Sequence, residues 1–282
     1  MTSAATVTGP AAGRQQPLGR RVGRWLSRNA IRIYAVIGFT YLFIPVAYTL
    51  AFSFNDSGKS NIAWKGFTLD KWKNPCGAPD VCTALGNSLK IGLIATLIAT
   101  LLGTMVAFAL ARHRFRGRTG TNLTIFLPMA TPEVVLGASL LALFLNLRIN
   151  LGFWTIVIAH VMFCISFVVV TVKARIASLD PRLEQAAMDL YADEWQTFRR
   201  ITLPLVAPGI MAGALLAFSL SFDDFIITNF NSGSVNTFPK FVWVSSLRGI
   251  PAQANVIASA MFFLALAAVV FGQLVAGRRR RT

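Results

Sequence analysis

Six stretches of this 282-residue chain are long and apolar enough to cross a lipid bilayer. A spanning helix needs roughly 20 predominantly apolar residues, because about 30 Å of hydrocarbon is covered at about 1.5 Å per residue. The candidate spans are residues 33–54, 89–111, 123–146, 151–174, 205–229 and 253–276. A short linker joins the third and fourth spans and predicts a tight hairpin on the outer side. The sequence therefore predicts an all-α membrane protein with six transmembrane helices.

The charge of the chain has two competing explanations. Lysine and arginine total 27 residues against 11 acids, which gives a formal net charge of +16. A nucleic-acid-binding protein would be basic, but only 13% of these residues are charged, whereas soluble domains carry about a quarter. Basic loops that flank membrane spans explain both the charge and the apolar composition. We therefore expect the lipid bilayer, and no nucleic acid, as a partner.

The positions of the basic residues predict the orientation of the spans. Nineteen of the 27 lie before span one, between spans two and three, from the last residues of span four to the start of span five, or after span six. Cytoplasmic loops carry the excess of Lys and Arg, so both termini are predicted to be cytoplasmic. Residues 1–32 are predicted to be a disordered basic cytoplasmic tail, 33–276 the six-span domain, and 277–282 a basic cytoplasmic C-terminus. The first span is too long for a signal-peptide core and is expected to be retained.

Two of the three cysteines fall in the predicted outer loop between spans one and two. Cys76 and Cys82 bound the run CGAPDVC and could form a disulfide in an oxidising compartment. A zinc site is disfavoured, because no other Cys and no His is near them in the sequence to complete a tetrahedral set. The sequence leaves the disulfide open and predicts no metal site.

The polar segment between spans four and five has the pattern of two short amphipathic helices. Helix starts are predicted at Asp180, which precedes a proline, and at Asp193, which has capping-box spacing. Pro204 and Pro208 are predicted to end the second helix. The apolar positions are Leu183, Ala186, Ala187, Leu190 and Tyr191 in the first helix, and Trp195 and Phe198 in the second.

These two helices are too charged to enter the bilayer, so their apolar faces must lie against protein. They either pack against the inner ends of their own spans or dock in a groove of a cytoplasmic partner. The amphipathic pattern alone favours neither interpretation.

The same segment, over residues 176–204, resembles the EAA loop of ATP-binding-cassette (ABC) importer permeases. That loop has the pattern Glu-Ala-Ala, three residues, Gly, nine residues, Ile, one residue, Leu-Pro. Gln185 stands where the acid is usual, although Glu184 could supply it one position early, and Tyr191 stands where the glycine is usual. The tyrosine argues against the usual tight turn between the helices. The matching positions are Gln185, Ala186, Ala187, Tyr191, Ile201, Leu203 and Pro204.

In that family the loop is a coupling helix that docks into a cleft of a cytoplasmic ATPase. The chain contains no GxxxxGK[ST] phosphate loop, in agreement with a permease that binds no ATP itself. The resemblance implies that ATP and Mg are bound by a partner ATPase and that this chain binds no cofactor. The implied coupling residues are Glu184, Gln185, Ala186, Ala187, Leu190, Tyr191, Trp195, Ile201, Leu203 and Pro204.

Most of the chain after the basic tail resembles the second permease subunit of spermidine/putrescine importers. This resemblance implies a type I ABC importer permease fold with cytoplasmic coupling helices. It also implies a location in the bacterial cytoplasmic (inner) membrane. The implied partners are a different second permease chain, two ATPase subunits and an extracytoplasmic polyamine-binding protein. The implied function is translocation of polyamines by a non-enzymatic subunit. The segments that carry the resemblance are SFNDS at 53–57, WKGFTLDKW at 64–72, NSLKIGL at 87–93, PEVVLGASLL at 132–141, LGFWTIVIAHVMF at 151–163 and AFSLSFDDFIITNFNSG at 217–233.

Three acids lie within the predicted spans, where ionisable groups are costly and therefore candidates for function. Glu133 is placed near the membrane midplane in span three, and Asp223 and Asp224 at the outer mouth of span five. No basic residue lies within the spans to pair with them. Anionic groups at two depths would offset the dehydration of a polycation. Alternatively, the two aspartates cap a helix end or pair with Lys240 or Arg248, and Glu133 is hydrogen-bonded within the bundle.

Four further residues are candidates for the substrate path. His160 lies near mid-depth in span four, although a histidine there is more often a packing residue with satisfied hydrogen bonds. Phe222, Phe225 and Trp243 could offer cation–π faces near the outer mouth, although aromatic residues are common at membrane interfaces.

Two other classes of transport remain alternatives. An ABC importer of another small solute, such as an amino-acid derivative, an anion or a sugar, would share the coupling loop, although an anion fits poorly with three unpaired intramembrane acids. An autonomous channel or a proton-coupled carrier would use Glu133 and His160 and would need no nucleotide. An intramembrane enzyme is disfavoured, because no paired nucleophile and base and no metal-ligand cluster occurs in the predicted spans. No catalytic residue is therefore predicted.

Overall fold

The computed structural model describes residues 18–58 and 60–279, and within those ranges the side chains of 29–58 and 60–274. Apart from an isolated bridge between Asn55 and Phe67, these residues contain helices, turns and loops only. The chain divides into two units, one containing the first helix and the other beginning at Ser53. The α-helices are α1 Leu18–Phe52, α2 Asp70–Lys73, α3 Val81–Arg112, α4 Arg118–Ala130, α5 Glu133–Asn146, α6 Phe153–Ala177, α7 Arg182–Asp189, α8 Glu194–Thr197, α9 Leu203–Asp223, α10 Ile226–Asn231, α11 Phe238–Arg248 and α12 Ala252–Arg279.

The first helix begins earlier than predicted. A disordered tail was expected up to residue 32, but α1 starts at Leu18, because the stretch before the apolar run is rich in Arg and Leu, which favour helix. Pro45 lies inside α1, and the hydroxyl of Thr49 donates to the Pro45 carbonyl at 3.0 Å. The rest of the predicted tail, residues 1–17, lies outside the described part of the chain, as do residues 280–282 of the predicted C-terminus.

Five described helices, α1, α3, α6, α12 and the run over residues 194–223, are each long and apolar enough to cross a membrane. The number rises to six when α4 and α5 are counted together as one span. The predicted third span is not a straight helix, because α4 and α5 meet at an angle of 108°. Pro132 forces the preceding Thr131 into an extended conformation (φ −83°, ψ 132°), which breaks the helix. The Leu127 carbonyl accepts both the backbone N–H of Thr131 at 3.0 Å and the Thr131 hydroxyl at 2.7 Å, and these bonds close the last turn of α4 before the break.

Helices α3, α6 and α9 form the centre of the second unit, because small residues let their backbones approach closely. A Cβ atom placed on Gly103 of α3 would lie 2.8 Å from the Cβ of Val168 on α6. On α9, the buried residues Gly209, Gly213, Ala217 and Ser221 recur at four-residue spacing and contact α6, and we call this contact the α6–α9 seam.

The start and end of α9 both differ from the prediction. Pro204 and Pro208 do not end the preceding helix, since α8 continues through a π-helical turn at Phe198–Thr202 into α9. Pro204 lies in the first turn of α9, where a proline is tolerated, whereas Pro208 lies inside α9 without ending it. Span five was predicted to reach residue 229, but α9 ends at Asp223. Asp224 is extended (φ −63°, ψ 124°), and α10 begins two residues later.

The loop between α1 and α3 is organised by one buried amide. The side chain of Asn55 donates to Asn61 Oδ1 at 2.7 Å and to the Ala63 carbonyl at 2.8 Å, and it accepts from the backbone N–H of Lys65 at 2.7 Å. Beside it, the Phe54 ring stacks on Phe67 and Trp72. Further along the same loop, Cys76 and Cys82 form a disulfide, while Cys164 is free and buried in α6.

Candidate functional site

Asp224 is buried at the break between α9 and α10, with only 8% of its surface exposed. Its carboxylate accepts from the backbone N–H groups of Ile227 at 3.2 Å and Thr228 at 2.7 Å, so it caps the first turn of α10. The predicted alternative that an aspartate caps a helix end therefore describes Asp224, and the helix it caps is α10.

The partner of Asp224 is His160, which the sequence analysis did not consider as a pairing group. Its Nε2 lies 3.2 Å from Asp224 Oδ2 and 3.0 Å from Thr228 Oγ1, and its Nδ1 lies 2.6 Å from Ser221 Oγ. A carboxylate only accepts hydrogen bonds, so Nε2 carries a hydrogen and donates to Asp224. The expectation that no basic residue in the spans pairs with the acids was wrong for Asp224. The side chain of His160 is buried and fully hydrogen-bonded, as in the packing interpretation.

Asp223 and Glu133 are exposed on this chain and have no ion-pair partner among the described residues. Glu133 is the first residue of α5, directly after the break from α4. It therefore lies at a sharp bend and not partway along a straight span, contrary to the prediction. Helix α5, which Glu133 begins, packs on α10, which follows Asp223 and Asp224, so the fold brings all three acids into one region.

Close packing of α5 on α10 holds this region together. A Cβ on Gly137 of α5 would lie 2.9 Å from the Phe230 ring of α10, which leaves room only for glycine. The Asn231 side chain donates to the Gly137 carbonyl at 3.3 Å, and the Thr155 hydroxyl of α6 donates to the Asn231 carbonyl at 2.7 Å. Helix α10 thereby connects α5 to α6 beside the acids.

The three aromatic candidates divide into two groups. Phe225 and Trp243 are in contact, with ring centroids 5.0 Å apart, while Phe222 stacks on Phe218 of α9. Lys240, predicted as an alternative partner of the aspartates, donates instead to Ser232 Oγ at 2.6 Å and to two backbone carbonyls. Burial lowers the pKa of the Lys240 ammonium.

At the other end of the α6–α9 seam, α7 is tied to α3 by a two-point ion pair. Both guanidinium NH₂ groups of Arg112 donate to the carboxylate of Glu184, which also accepts from the Thr202 hydroxyl at 2.6 Å. The hydrogen-bonded Arg112 guanidinium holds the pKa of Glu184 below its usual value, and the Thr202 hydrogen bond acts in the same direction. Glu184 therefore links α3, α7 and the start of α9 as a carboxylate.

Helix α7 ends in a tight turn despite the tyrosine. Tyr191 adopts the left-handed conformation, with φ of +63°. The N–H of Ala192 donates to the Ala187 carbonyl at 3.1 Å and that of Tyr191 to the Met188 carbonyl at 3.0 Å. These two bonds are the Schellman motif, whose left-handed position is usually glycine. The tight turn against which the tyrosine argued is present, because these hydrogen bonds retain it at the cost of backbone strain. Asp193 then caps α8 by accepting from the Gln196 N–H at 2.7 Å, as predicted.

The apolar faces of α7 and α8 are largely uncovered in this chain. Tyr191 is 99% exposed and Leu190 82% exposed, whereas Ala187 is buried. The structure thus does not support packing of Leu190 and Tyr191 against the inner ends of the chain's own spans. Around these residues, Ile201 and Leu203 are half-buried, and the exposed positions are Leu183, Gln185, Ala186, Trp195 and Pro204.

Neither the pairing of Asp224 nor that of Glu184 was predicted, because the partners lie far apart along the chain. His160 and Asp224 are 64 residues apart, and Arg112 and Glu184 are 72 apart. A signal existed for the second pair, because Arg112 ends a span next to the predicted coupling segment. Among the residues whose side chains are described, no group of three or more His, Cys, Asp or Glu could hold a metal ion.

The sequence matches a family of membrane transport components and is similar to permease subunits. A family model described as binding-protein-dependent transport system inner membrane component matches residues 99–281. The chain is 36% identical over 255 residues to the spermidine/putrescine transport system permease protein PotC of Haemophilus influenzae, covering 90% of this chain and 98% of that protein. It is 38% identical over 237 residues to the putrescine transport system permease protein PotI of Escherichia coli, covering 80% of this chain and 83% of that protein.

Solved structures support the fold. A bacterial ABC transporter involved in the import of the acidic polysaccharide alginate has a TM-score of 0.65 at 15% identity, covering 94% of this chain and 99% of that chain. The MetNI methionine ABC transporter in inward-facing conformations has a TM-score of 0.57 at 10% identity, covering 70% and 95%. From the family match and the extent of the relatives' similarity, this chain belongs to the family of binding-protein-dependent transport system inner membrane components.

Proposed function

We propose that this chain is the permease subunit of an ABC importer that carries polyamines such as spermidine and putrescine across the inner membrane. The observation that carries the choice of substrate is the pair of uncompensated carboxylates, Glu133 and Asp223, in a chain whose net charge is otherwise strongly positive. An ammonium group provides the missing counter-charge. The PotC and PotI relatives, which are named for spermidine and putrescine, support the same substrate class.

The broken backbone between α4 and α5 supports a path beside Glu133. Non-helical backbone at membrane depth is tolerated only where it is covered by protein or lines a water-filled cavity. Thr131 is extended there, and Glu133 is exposed on the isolated chain. We place the substrate path along this bend, between this permease and a second permease chain, with Asp223 as the other carboxylate on it.

Asp224 and His160 have a supporting part in this proposal. Asp224 is buried and already accepts three hydrogen bonds, so it offers an ammonium ion little accessible surface on this chain. We assign them to holding the α9–α10 break, so that Asp223 lies at a fixed position. Phe225 and Trp243 supply the aromatic faces nearest to this break, and Phe222 packs within α9.

We assign the exposed apolar residues Leu190, Tyr191 and Trp195, which we call the coupling stripe, to contact with an ATPase. Leu190, Tyr191 and Trp195 expose large apolar surfaces to solvent in this chain, which is typical of an interaction site. With the basic loops on the cytoplasmic side, both termini and this stripe face the cytoplasm. The ATPase would bind ATP and Mg²⁺, two copies of it would serve the two permeases, and an extracytoplasmic binding protein would deliver the polyamine.

Uptake into vesicles tests the substrate. The complete importer is reconstituted with its binding protein, and entry of labelled putrescine and spermidine is measured against unlabelled amino acids, sugars and anions. We expect Glu133→Gln and Asp223→Asn to reduce uptake, while Asp70→Asn, which removes the exposed acid that begins α2, leaves it unchanged. Equal competition by an anion or a sugar would contradict the polyamine assignment.

Nucleotide dependence separates the proposal from an autonomous channel or a proton-coupled carrier. The importer is expected to move polyamine only when ATP is present on the ATPase side. Transport by this chain alone, driven by a proton gradient and lost in Glu133→Gln, would favour the carrier.

Recovery of the ATPase on the purified permease tests the coupling stripe. Leu190→Ser removes an exposed apolar side chain from the stripe and is expected to reduce ATPase recovery in mild detergent. Leu247→Ser on α11 is the matched control, since Leu247 is also largely exposed but lies outside the stripe. Full ATPase recovery with Leu190→Ser would remove this contact from the proposal.

A further inference from the structure

A cavity of about 380 Å³ lies where α3, α4 and α6 meet the start of α7, and we call it the corner cavity. Its wall includes Arg118, the first residue of α4, and Lys173, near the C-terminal end of α6. The basic loop from α3 to α4 connects two wall residues, Arg112 and Arg118, so the proposed orientation places the cavity at the cytoplasmic face. A ligand therefore reaches it from the cytoplasm or from the inner leaflet of the bilayer.

The wall of the corner cavity carries an excess of positive charge. Its cations are Arg112, Arg118 and Lys173, and its acids are Asp180 and Glu184. Arg112 pairs with Glu184, whereas Arg118 and Lys173, both partly buried, form no ion pair among the residues whose side chains are described. The remaining acid, Asp180, is exposed, and its carboxylate accepts from a backbone N–H at the start of α7 at 2.9 Å. The sequence from residue 112 to 132 contains no acid, so the loop and α4 supply no further counter-charge.

Hydrogen bonds between α4 and α6 hold the two unpaired cations on one wall. Lys173 Nζ donates to Asn122 Oδ1 at 2.8 Å, and Asn122 Nδ2 donates to the Arg118 carbonyl at 3.0 Å. The ammonium group of α6 is thereby fixed beside the first turn of α4. An ammonium group has three donors and a guanidinium group five, and Asn122 takes one donor of Lys173. Two like charges on one wall repel each other, and an anion bound between them offsets that repulsion.

The surface of α4 beyond the cavity is apolar and uncovered on this chain. Leu123, Phe126 and Leu127 are each at least half exposed, and their spacing places them on one side of the helix. Leu123 lies five residues, or about 7.5 Å along the helix axis, beyond Arg118. A free inorganic anion would use the cations alone. A phospholipid uses both features, because its phosphate needs the cations and its acyl chain needs the apolar surface.

We propose that the corner cavity binds the head group of an anionic phospholipid from the inner leaflet, with its phosphate on Arg118 and Lys173 and an acyl chain along α4. Phosphate oxygens accept charge-assisted hydrogen bonds from both cations, whereas the ammonium group of a zwitterionic head group would oppose them. Basic pockets between membrane helices on the cytoplasmic side are typical sites for anionic head groups. The inference rests on the orientation assigned under the proposed function and not on the polyamine substrate. Pro181 also lines the cavity, so a bound head group contacts the start of the segment that carries the coupling stripe.

A fluorophore on α4 measures which lipid lies beside the cavity. Leu123→Cys places a thiol on the apolar surface, and the native cysteines do not compete, because Cys164 is buried and Cys76 is bonded to Cys82. The complete importer, with partner subunits that lack reactive thiols, is labelled with bimane and placed in phosphatidylcholine nanodiscs. Quenching is then measured as brominated-chain phosphatidylglycerol or brominated-chain phosphatidylcholine replaces the host lipid. Leu264→Cys on α12, which is similarly exposed, is the reference position, because the ratio between the two lipids cancels the effect of depth.

We expect a preference for phosphatidylglycerol of about 25-fold at Leu123→Cys and none at Leu264→Cys. Each of the two cations contributes about fivefold, since a Lys or Arg near an anionic lipid contributes about 1 kcal/mol. Arg118→Gln and Lys173→Gln should therefore each lower the preference about fivefold, and the double variant should abolish it.

Two control variants separate the charges from the packing around them. Asn122→Ala removes the hydrogen-bond partner of Lys173 but keeps both cations, and it should retain the preference. Arg182→Gln removes an exposed cation of α7 that does not line the cavity, and it should also retain the preference. Quenching requires no transport, so a failure of the polyamine assignment would leave this result unaffected.

Three results would overturn the proposal. The first is equal quenching by the two lipids at Leu123→Cys, or a preference that the double variant retains. The second is loss of the preference when inorganic phosphate replaces chloride at equal ionic strength, which would assign the cavity to a free phosphate ion. The third is a preference that appears only after the ATPase is removed, which would mean that the ATPase covers the cavity in the importer.

Discussion

The two ends of the α6–α9 seam hold a carboxylate in different ways. At the α10 end, Asp224 is buried against His160 and accepts two backbone N–H groups. At the α7 end, Glu184 pairs with Arg112, and both side chains retain contact with solvent. Breaking a buried pair leaves a charge without solvation, whereas water replaces the partner of an exposed one at little cost. The difference indicates that the α10 end keeps one arrangement, while the α7 end can be rearranged.

The largest expected effect comes from breaking the buried pair. Asp224→Ala leaves His160 without its carboxylate and uncaps α10, so we expect a loss of about 3–5 kcal/mol of stability, measured by unfolding in detergent. Asp223→Ala is the matched control, because this neighbour is exposed, and we expect a change within about 0.5 kcal/mol. His160→Ala should add little to Asp224→Ala in a double-mutant cycle. Equal stabilities of the Asp224 and Asp223 variants would remove the contrast between the two ends.

The seam that joins the two ends provides the next test. A Cβ on Gly209 would lie 2.5 Å from the Cβ of Arg175, whereas a Cβ on Gly213 would lie 3.5 Å from the nearest atom of Val168. We expect Gly209→Ala to lower stability by about 1–3 kcal/mol through overpacking, and Gly213→Ala to be tolerated. Thermal unfolding of the two purified variants measures this difference. Similar midpoints would mean that α6 and α9 can separate freely at the α7 end.

The ion pair between Arg112 and Glu184 should make stability depend on pH in the acid range. The folded-state pKa of Glu184 is lowered by Arg112, so its contribution is present above the unfolded-state pKa and is lost as the pH falls through the folded-state pKa. We expect Glu184→Gln to lower stability by about 1 kcal/mol at neutral pH and to flatten the acid limb of the profile. Asp189→Asn, on the same helix, should keep that limb. Thermal midpoints across the acid range report both effects, and parallel profiles for wild type and Glu184→Gln would contradict the assignment.

The smallest effect concerns the strained turn at the α7 end. Tyr191→Gly relieves a left-handed tyrosine, and after the entropy cost of glycine we expect a gain of under about 1 kcal/mol in stability. Tyr191→Ala removes the ring but keeps the strain. If the ring contacts the ATPase, both variants reduce ATPase recovery although only the glycine variant is stabilised. Unchanged recovery with both would leave Leu190 and Trp195 as the contacts in the stripe.

The long apolar helices could be predicted because length and hydropathy are local properties. The break between α4 and α5 could not, because Pro45 and Pro208 also lie inside apolar helices and do not break them sharply. Whether a proline bends a helix depends on what replaces the lost hydrogen bond and on the packing around it. The sequence therefore identifies candidate break points but not the one that the fold uses.

The acids of the site were visible in the sequence, but their roles were not. Adjacent aspartates look equivalent, and only the arrangement of α6 beside α9 buries Asp224 on His160 and leaves Asp223 exposed. Tyr191 shows a related limit. The spacing of the loop gave its position, whereas its left-handed backbone depends on hydrogen bonds to Ala187 and Met188.

Because α9 is long, a small tilt at one end of the helix produces a larger displacement at the other end. Its 21 residues extend for about 30 Å, with Leu203 beside the coupling segment and Asp223 as the last residue. For a rigid rod of that length, a tilt of about 5° at one end displaces the other end by about 2.6 Å, which approaches the length of a hydrogen bond. A rotation too small to disturb the packing along most of the helix is therefore large enough to make or break one contact between a carboxylate and an ammonium ion.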